Sequence, residues 1–318
     1  MLSTLPSQDN VKKNWESDEV KVTCLVTCYN HEKYILDCLK GIFSQKTKFA
    51  FKVVVYDDFS SDNTRNILMS LERQYPAILQ VYYADYNHYG NSIQNEHAGM
   101  LEGSYVALCE GDDYWISRYK LQKQFDEMER NRGSISFCVH PSIIFSHNSR
   151  FEDIFCFYGT AIKILPQKLV FDFKNQFSPT ASYFLKLEKF LEHVAFKEYL
   201  EGGPGDFFLE AIASEGGVLY LPEIMSCYRR GSIGSYSAEQ SKLSPSDIQK
   251  EIERWDRNLS ALSEYYPKLQ KMVTFKRTLV EIDCLIRLSN VCKKKNKADY
   301  VAKAQALLKE LGPMENYL

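Results

Sequence analysis

The first third of the chain alternates two hydrophobic spacings. Residues 22–28 (VTCLVTC) form a short β-prone run. Ile35, Cys38, Leu39, Ile42 and Phe43 then recur at offsets 0, 3, 4, 7 and 8, one face of a helix. Residues 52–56 (KVVVY) are nearly all apolar, as in a strand covered on both faces. The pattern continues with a helix over 63–75, a strand over 79–83, a helix over 92–101 and a strand over 104–109 (SYVALC). Leu121, Phe125 and Met128 stripe a further helix over 118–131. Repeated strand and helix predict right-handed crossovers and a largely parallel sheet, so the fold class is α/β.

Beyond this the pattern weakens. Residues 134–190 contain strand-like ISFCVH and PSIIFSH but no clear repeat. A helix over 206–214 stops at Gly216-Gly217, and short strands are predicted over 218–221 and 224–228. Past the Gly/Ser-rich stretch 231–237 the character changes. Ser244, Pro245 and Asp247 fit the N-cap, N1 and N3 positions of a new helix, which Ile248, Ile252, Trp255, Leu259 and Leu262 continue. The expected organisation is an N-terminal extension over 1–19, an α/β domain over 20–237 and a helical region over 238–318.

Composition narrows the class. The 318 residues are 45% hydrophobic, enough for a sizeable core. A net charge of −2 argues against a protein that coats nucleic acid. Nine cysteines without a CxxC pair give neither a metal knuckle nor a closed disulfide framework. The polar start lacks a signal-peptide centre, and no apolar run approaches the roughly 18 residues of a membrane span. The expectation is a soluble, cytoplasmic protein. Charge is uneven, however: residues 268–318 hold 11 Lys+Arg against 5 Asp+Glu, with Lys293, Lys294, Lys295 and Lys297 clustered. Such a cluster is either a solvated helix end or an attraction to an anionic membrane surface, the inner face, or to a phosphorylated acceptor.

Acidic residues gather just past strand ends. Asp57-Asp58 follow KVVVY in DDFSSDNT, and Glu110, Asp112 and Asp113 follow SYVALC in EGDDYW. Ligands of an open parallel sheet bind outside the carboxyl ends of its strands, which would bring both clusters to one crevice. Carboxylates crowded there repel one another unless a cation compensates, and Mg²⁺ commonly takes one or two carboxylates plus substrate phosphates. DDFSSDNT could equally serve as a turn and helix cap; three acids in four residues exceed what a cap requires. No GxxxxGK[ST] loop and no GxGxxG follows the first strand. A phosphate-bearing donor would therefore be held by metal and side chains.

The blocks VTCLVTCYNHEKYILDCLKGIFSQ, VVVYDDFSSDNT, YVALCEGDDYW and KLQKQ, with GDFFLEAIASEGGVLYLPEIMSCYRR after them, resemble glycosyltransferase family 2, of the GT-A fold, over about residues 20–230. The resemblance implies inverting transfer of a sugar from a nucleotide-diphosphate donor, a UDP-sugar, with a divalent cation, Mn²⁺ or Mg²⁺. It places Thr27 and Tyr29 at the nucleotide base, with the Tyr29 ring stacking, and Asp58 as an acceptor from the base. Asn87, Gly90 and Asn91 fall on the loop lining the donor pocket. The family's metal motif falls on Glu110-Gly111-Asp112, followed by Asp113. Asp112 is the expected metal contact; Glu110 stands where Asp is usual and could reach metal or ribose. Asp206 matches the catalytic base, a role suited to a carboxylate that accepts the acceptor hydroxyl's proton; it could also act as a helix cap. Arg229 and Arg230 suit diphosphate oxygens. Gly231 replaces the His often found there.

Other residues rank lower. His31 reads as a turn residue, His140 and His147 as core or surface groups, and Trp115 as either an acceptor wall or packing. The implied acceptor is a lipid-linked or surface-polysaccharide glycan of O-antigen or capsule type. Two rivals are a sugar-nucleotidyltransferase, which should carry a Gly- and Arg-rich loop that TCYNHEKY is not, and a non-catalytic nucleotide-sugar binder.

Overall fold

The computed structural model describes residues 5–88, 95–146, 150–172, 176–202, 205–232, 244–292 and 294–312. The chain forms two compact units. The first takes residues 1–166, 178–195 and 212–238; the second takes 167–177, 196–211 and 239–318.

The N-terminal segment is part of the first unit. Helix α1 (Gln8–Lys12) is capped by the Ser7 hydroxyl, and the Tyr75 hydroxyl donates to the Pro6 carbonyl at 2.5 Å. Then come β1 (Val20–Cys28), α2 (Ile35–Phe43), β2 (Ala50–Asp57), α3 (Thr64–Gln74), β3 (Leu79–Tyr83), β4 (Tyr105–Glu110), β5 (Tyr114–Trp115) and α4 (Lys120–Arg130). The apolar stripe on α2 is buried throughout, as its spacing predicts. One expected helix differs: residues 95–100 form a 3₁₀ segment, with 92–94 outside the described residues. Gly99 and the short polar run offer too little helix propensity for a full α-helix.

The stretch without a sequence repeat supplies β6 (Phe137–Val139), β7 (Ser142–Ser146), β8 (Phe151–Phe155), β9 (Lys163–Leu165), α5 (Lys168–Asp172), β10 (Phe184–Lys186) and α6 (Leu187–Phe196). After α7 (Gly205–Ala213) come β11 (Val218–Tyr220) and β12 (Ser226–Arg230). Among the described residues the strands form an eight-stranded sheet, ordered β3-β2-β1-β4-β10-β6-β11-β9, and a four-stranded one, β5-β12-β7-β8. β3, β2, β1 and β4 are parallel, whereas β10 runs antiparallel to both β4 and β6. The parallel prediction thus holds for the first half of the large sheet, and the second half is mixed. β12 begins two residues later than expected and joins the small sheet. Its entry is set by the Met225 carbonyl, which accepts the Ile116 N–H at 2.9 Å, and pairing starts at Ser226 with Trp115.

The second unit holds α5, the greater part of α7 and three helices: α8 (Pro245–Tyr265), α9 (Gln270–Val291) and α10 (Lys294–Leu311). α8 starts with the anticipated capping box, Ser244 and Asp247 each receiving the other's backbone N–H. Lys293 and the side chains of Lys294 and Lys295 lie outside the described residues, while Lys297 is exposed. Among the described residues no helix is long and apolar enough to cross a membrane.

The end of β2 is held by a buried charge pair. Asp57 is wholly buried, and Arg65, on the first turn of α3, donates to it at 2.6 Å. Arg65→Met strands that carboxylate without its cation, and urea unfolding should report a loss of about 3 kcal/mol. A loss below about 0.5 kcal/mol would show that the pair is incidental.

Candidate active site

Three parallel strands end on one edge, and their register aligns the acids. Thr27 lies opposite both Tyr56 and Glu110, and Cys28 opposite Asp57. The ladder then carries into the loops: the Thr27 carbonyl accepts the Gly111 N–H at 2.8 Å, and the Cys28 carbonyl accepts the Asp58 N–H at 2.9 Å. DDFSSDNT and EGDDYW are thereby both tied to the last two residues of β1. Asn30, in the left-handed region with φ 56°, locks the first loop by accepting the Ser61 N–H at 2.8 Å and donating its own N–H to Ser60 at 2.9 Å.

The Glu110–Asp113 turn is densely packed. A Cβ on Gly111 would lie 2.7 Å from both Cys28 Cβ and His31 Nδ1, so only glycine fits there. Glu110 is half-buried and Asp112 is buried, accepting the Ser232 hydroxyl. Asp113 is fully buried: one oxygen accepts the Arg229 backbone N–H at 2.8 Å, and the other has no partner among the described residues. Burial first, then the charges of Asp112 and Glu110, push Asp113 well above the usual carboxylate range.

Arg229 braces this turn. Its guanidinium donates to the Asp112 carbonyl at 2.5 Å and to Asp37 at 2.7 Å, and lies over Tyr114 at 4.4 Å and Tyr34 at 5.2 Å. A cavity of about 390 Å³, lined by Tyr34, Asp37, Tyr114, Phe145, Arg229 and Ser232 among others, opens beside it. Arg230 instead makes a surface pair with Glu152 at 2.9 Å. Both arginines expected at a diphosphate are thus engaged by protein groups.

Asp58 is buried and has a partner that sequence reasoning overlooked. The His88 backbone N–H donates to it at 2.8 Å, and His88 Nδ1 lies 3.1 Å from the same oxygen and 3.0 Å from the Tyr56 hydroxyl. The signal was its place beside Asn87, which is half-buried on the same loop. Gly90 and Asn91 lie outside the described residues, as does His147. Thr27 and Tyr29 are half-buried at the end of β1.

His31 is more than a turn residue. It is 8% exposed beneath Gly111, its Nδ1 has no partner among the described residues, and burial lowers its pKa against the pull of Asp112 and Asp62. Trp115 packs in the core: its N–H donates to the Ala181 carbonyl at 2.9 Å and its ring covers Lys120 at 4.1 Å. His140 is buried with Nδ1 3.0 Å from the Pro141 carbonyl, which agrees with a core role.

In the second unit, Asp206 occupies the first turn of α7 and is half-buried. Desolvation raises its pKa from 3.8 to about 6, with Lys197 opposing. A carboxylate in that range can accept a proton near neutral pH. Among the described residues no three His, Cys, Asp or Glu side chains form a complete metal cage. The donor set at the acidic turn fits a hard cation whose remaining ligands are substrate oxygens, and the unpartnered Asp113 oxygen marks a site short of positive charge.

The family model described as "Glycosyl transferase family 2" matches residues 23–184, half of the chain. An uncharacterised protein of Mycobacterium tuberculosis, Rv1520, is 28% identical over 207 residues, 65% of this chain and 58% of the relative. The chain therefore spans under two thirds of that relative's length. TuaG of Bacillus subtilis, a putative teichuronic acid biosynthesis glycosyltransferase, is 30% identical over 39% of this chain and 47% of its own. S. aureus TarS 1–349, solved with UDP-GlcNAc, superposes with a TM-score of 0.56 at 16% identity, covering 94% of this chain and 89% of TarS, which shows a shared fold.

Gly111→Ala tests how tightly the turn is set. The added methyl should cost about 1–3 kcal/mol in urea unfolding. Gly133→Ala, where a Cβ meets nothing within 4 Å, should cost less than about 1 kcal/mol and serves as the control. Equal effects would mean that the close approach is not real.

Proposed function

Because the chain belongs to glycosyl transferase family 2, we propose that it is an inverting glycosyltransferase that moves a sugar from a UDP-sugar to a hydroxyl of a bacterial surface glycan. The observation that carries this reading is the convergence of Asp58 and the Glu110–Asp113 turn on the end of β1. TuaG supports a teichuronic-type acceptor and the TarS complex supports a UDP-sugar donor.

In this reading the Tyr29 ring stacks on the base, Thr27 lies beneath it, and Asp58, oriented by His88, accepts the uracil N–H. Asn87 and Asn91 line the donor loop, and Glu110 faces the ribose. Asp112 holds a divalent cation, Mn²⁺ or Mg²⁺, with Asp113 behind it and Arg229 fixing the turn's backbone. The cation, when bound, neutralises charge on the departing diphosphate. Asp206 accepts the proton of the acceptor hydroxyl as that oxygen bonds to the anomeric carbon. The bond from that carbon to the diphosphate oxygen breaks, and its electron pair leaves with UDP. Attack opposite the leaving group inverts the centre.

Calorimetric titration of UDP should show binding with Mn²⁺ that EDTA abolishes, that GDP does not reproduce, and that Asp112→Ala weakens by about tenfold or more. Absence of binding by either nucleotide would leave the donor assignment without support.

The base assignment has its own sign. With its pKa raised to about 6, Asp206 loses its proton-accepting form as pH falls through 6, so turnover should drop on that acidic limb. Folding favours the protonated form, so this group's contribution to stability is present below the unfolded pKa of 3.8 and lost as pH rises through 6. Asp206→Asn should therefore melt higher than wild type at pH near 8 while losing about 10²–10⁴ in turnover. A variant that stays active at that pH would refute the assignment.

A further inference from the structure

Helices α8 and α9, like Asp206 itself, lie outside the region that the family model matches, and they share one unit with the segment that carries Asp206. Asn258, on α8, is 1% exposed and clasps the chain four to five residues ahead of Asp206. Its Oδ1 accepts the Glu201 N–H at 2.9 Å and its Nδ2 donates to the Gly202 carbonyl at 2.8 Å. Beside it, Arg257 pairs with the Glu201 carboxylate at 2.6 Å.

On the other side of Asp206, Lys276 of α9 is completely buried. Its ammonium lies 4.3 Å from the centre of the Phe207 ring and 5.7 Å from that of Trp255. Phe207, Phe208 and Trp255 touch one another with centroids 5.2 to 5.8 Å apart. Glu210, one helical turn past Asp206, is buried, accepts the Phe177 N–H at 3.0 Å, and is the charge that favours the ammonium form of Lys276. Phe207 and Glu210 share a helix face that flanks Asp206, so one cation stacks on a ring of the first turn of α7 and is drawn by the charge on the next.

A buried ammonium ion is an expensive way to stabilise a fold, and well-packed apolar replacements often cost nothing. Here desolvation lowers the Lys276 pKa to about 7. What such a charge can supply is geometry, because it must meet the ring faces and the carboxylate together. We propose that Lys276 and Asn258 are positioning residues that fix Asp206, through the backbone at 201–202 and the Phe207–Glu210 turn, in the orientation proton transfer needs. The inference rests on the reading of Asp206 as the base, and gives the C-terminal helices a part in catalysis.

Lys276→Met keeps the volume and removes the charge; Asn258→Ala removes the clasp. Each would be compared with wild type and Asp206→Asn by release of UDP from UDP-GlcNAc with Mn²⁺, UDP calorimetry, melting temperature and amide hydrogen exchange. For Lys276→Met the melt should lie within about 3 °C of wild type or above it. UDP affinity should stay within about twofold, and the KM for UDP-GlcNAc within about threefold. The kcat should fall about a hundredfold, and amides 205–211 should exchange about tenfold faster. Asn258→Ala should accelerate exchange at the amides of 201, 202, 205 and 206 and lower kcat in the same way.

Wild-type kcat or unchanged exchange in Lys276→Met would overturn the proposal. So would a fall in kcat that tracks loss of both UDP binding and melting temperature, since that is general damage. If Asp206→Asn turns over as wild type does, the base reading fails; if wild type releases no UDP from UDP-GlcNAc, the donor choice fails. The exchange measurement then decides the clamp by itself.

Discussion

The structure depends on crowding like charges at the edge of one dry sheet. Parallel strands β2, β1 and β4 end side by side, and acids stand at or just beyond the ends of β2 and β4. Carboxylates crowded together repel one another and oppose folding unless each finds a counter-charge or a donor. The surroundings can be read as answers to that problem. Asp57 has Arg65, Asp58 has the His88 N–H, Asp62 has the Glu32 and Thr64 N–H groups, and the Asp112–Asp113 turn has Arg229 and Ser232. Asp113 keeps an oxygen without a partner among the described residues, so the compensation of the turn is incomplete.

The partners of the Asp112–Asp113 turn, Arg229 and Ser232, come from far along the chain, which is why sequence alone reached only part of the arrangement. The acids were legible because they follow apolar runs whose length and β-branched content mark buried parallel strands. Ser244 and Asp247 were legible because a capping box is a local device, set within four residues. Asp37, by contrast, is 192 residues from Arg229 and sits on the polar side of α2, where an acid needs no explanation. His88 gave no periodic signal. The small sheet was hidden because its strands are two to five residues long and β12 joins β5 and β7 from far along the chain, leaving too little periodicity to read.

Arg229 has partners that its motif did not announce. A guanidinium near a diphosphate site invites direct contact with the ligand. In this fold the same group is sandwiched by two tyrosines and bound to an aspartate and a carbonyl of the acidic turn. Its positive charge still reaches the turn, but through a fixed brace. A fixed charge needs no reorganisation when a charged ligand arrives.

Asp113 and Asp206 make the general point most sharply. Both have raised pKa values, and in both burial is the first cause. Their neighbours then separate them. Asp113 faces two further acids and is driven well out of the carboxylate range, while Asp206 faces Lys197 and stops at about 6. One side chain type is thereby sorted into two settings by burial and neighbouring charge: one group held well above the carboxylate range, and one poised to exchange a proton in water near neutral pH. The second setting is useful only if the carboxylate is also aimed. A half-buried group on the first turn of a helix has little of its own to aim it, and the Asn258 clasp and the Lys276 cage are the structures placed to do so.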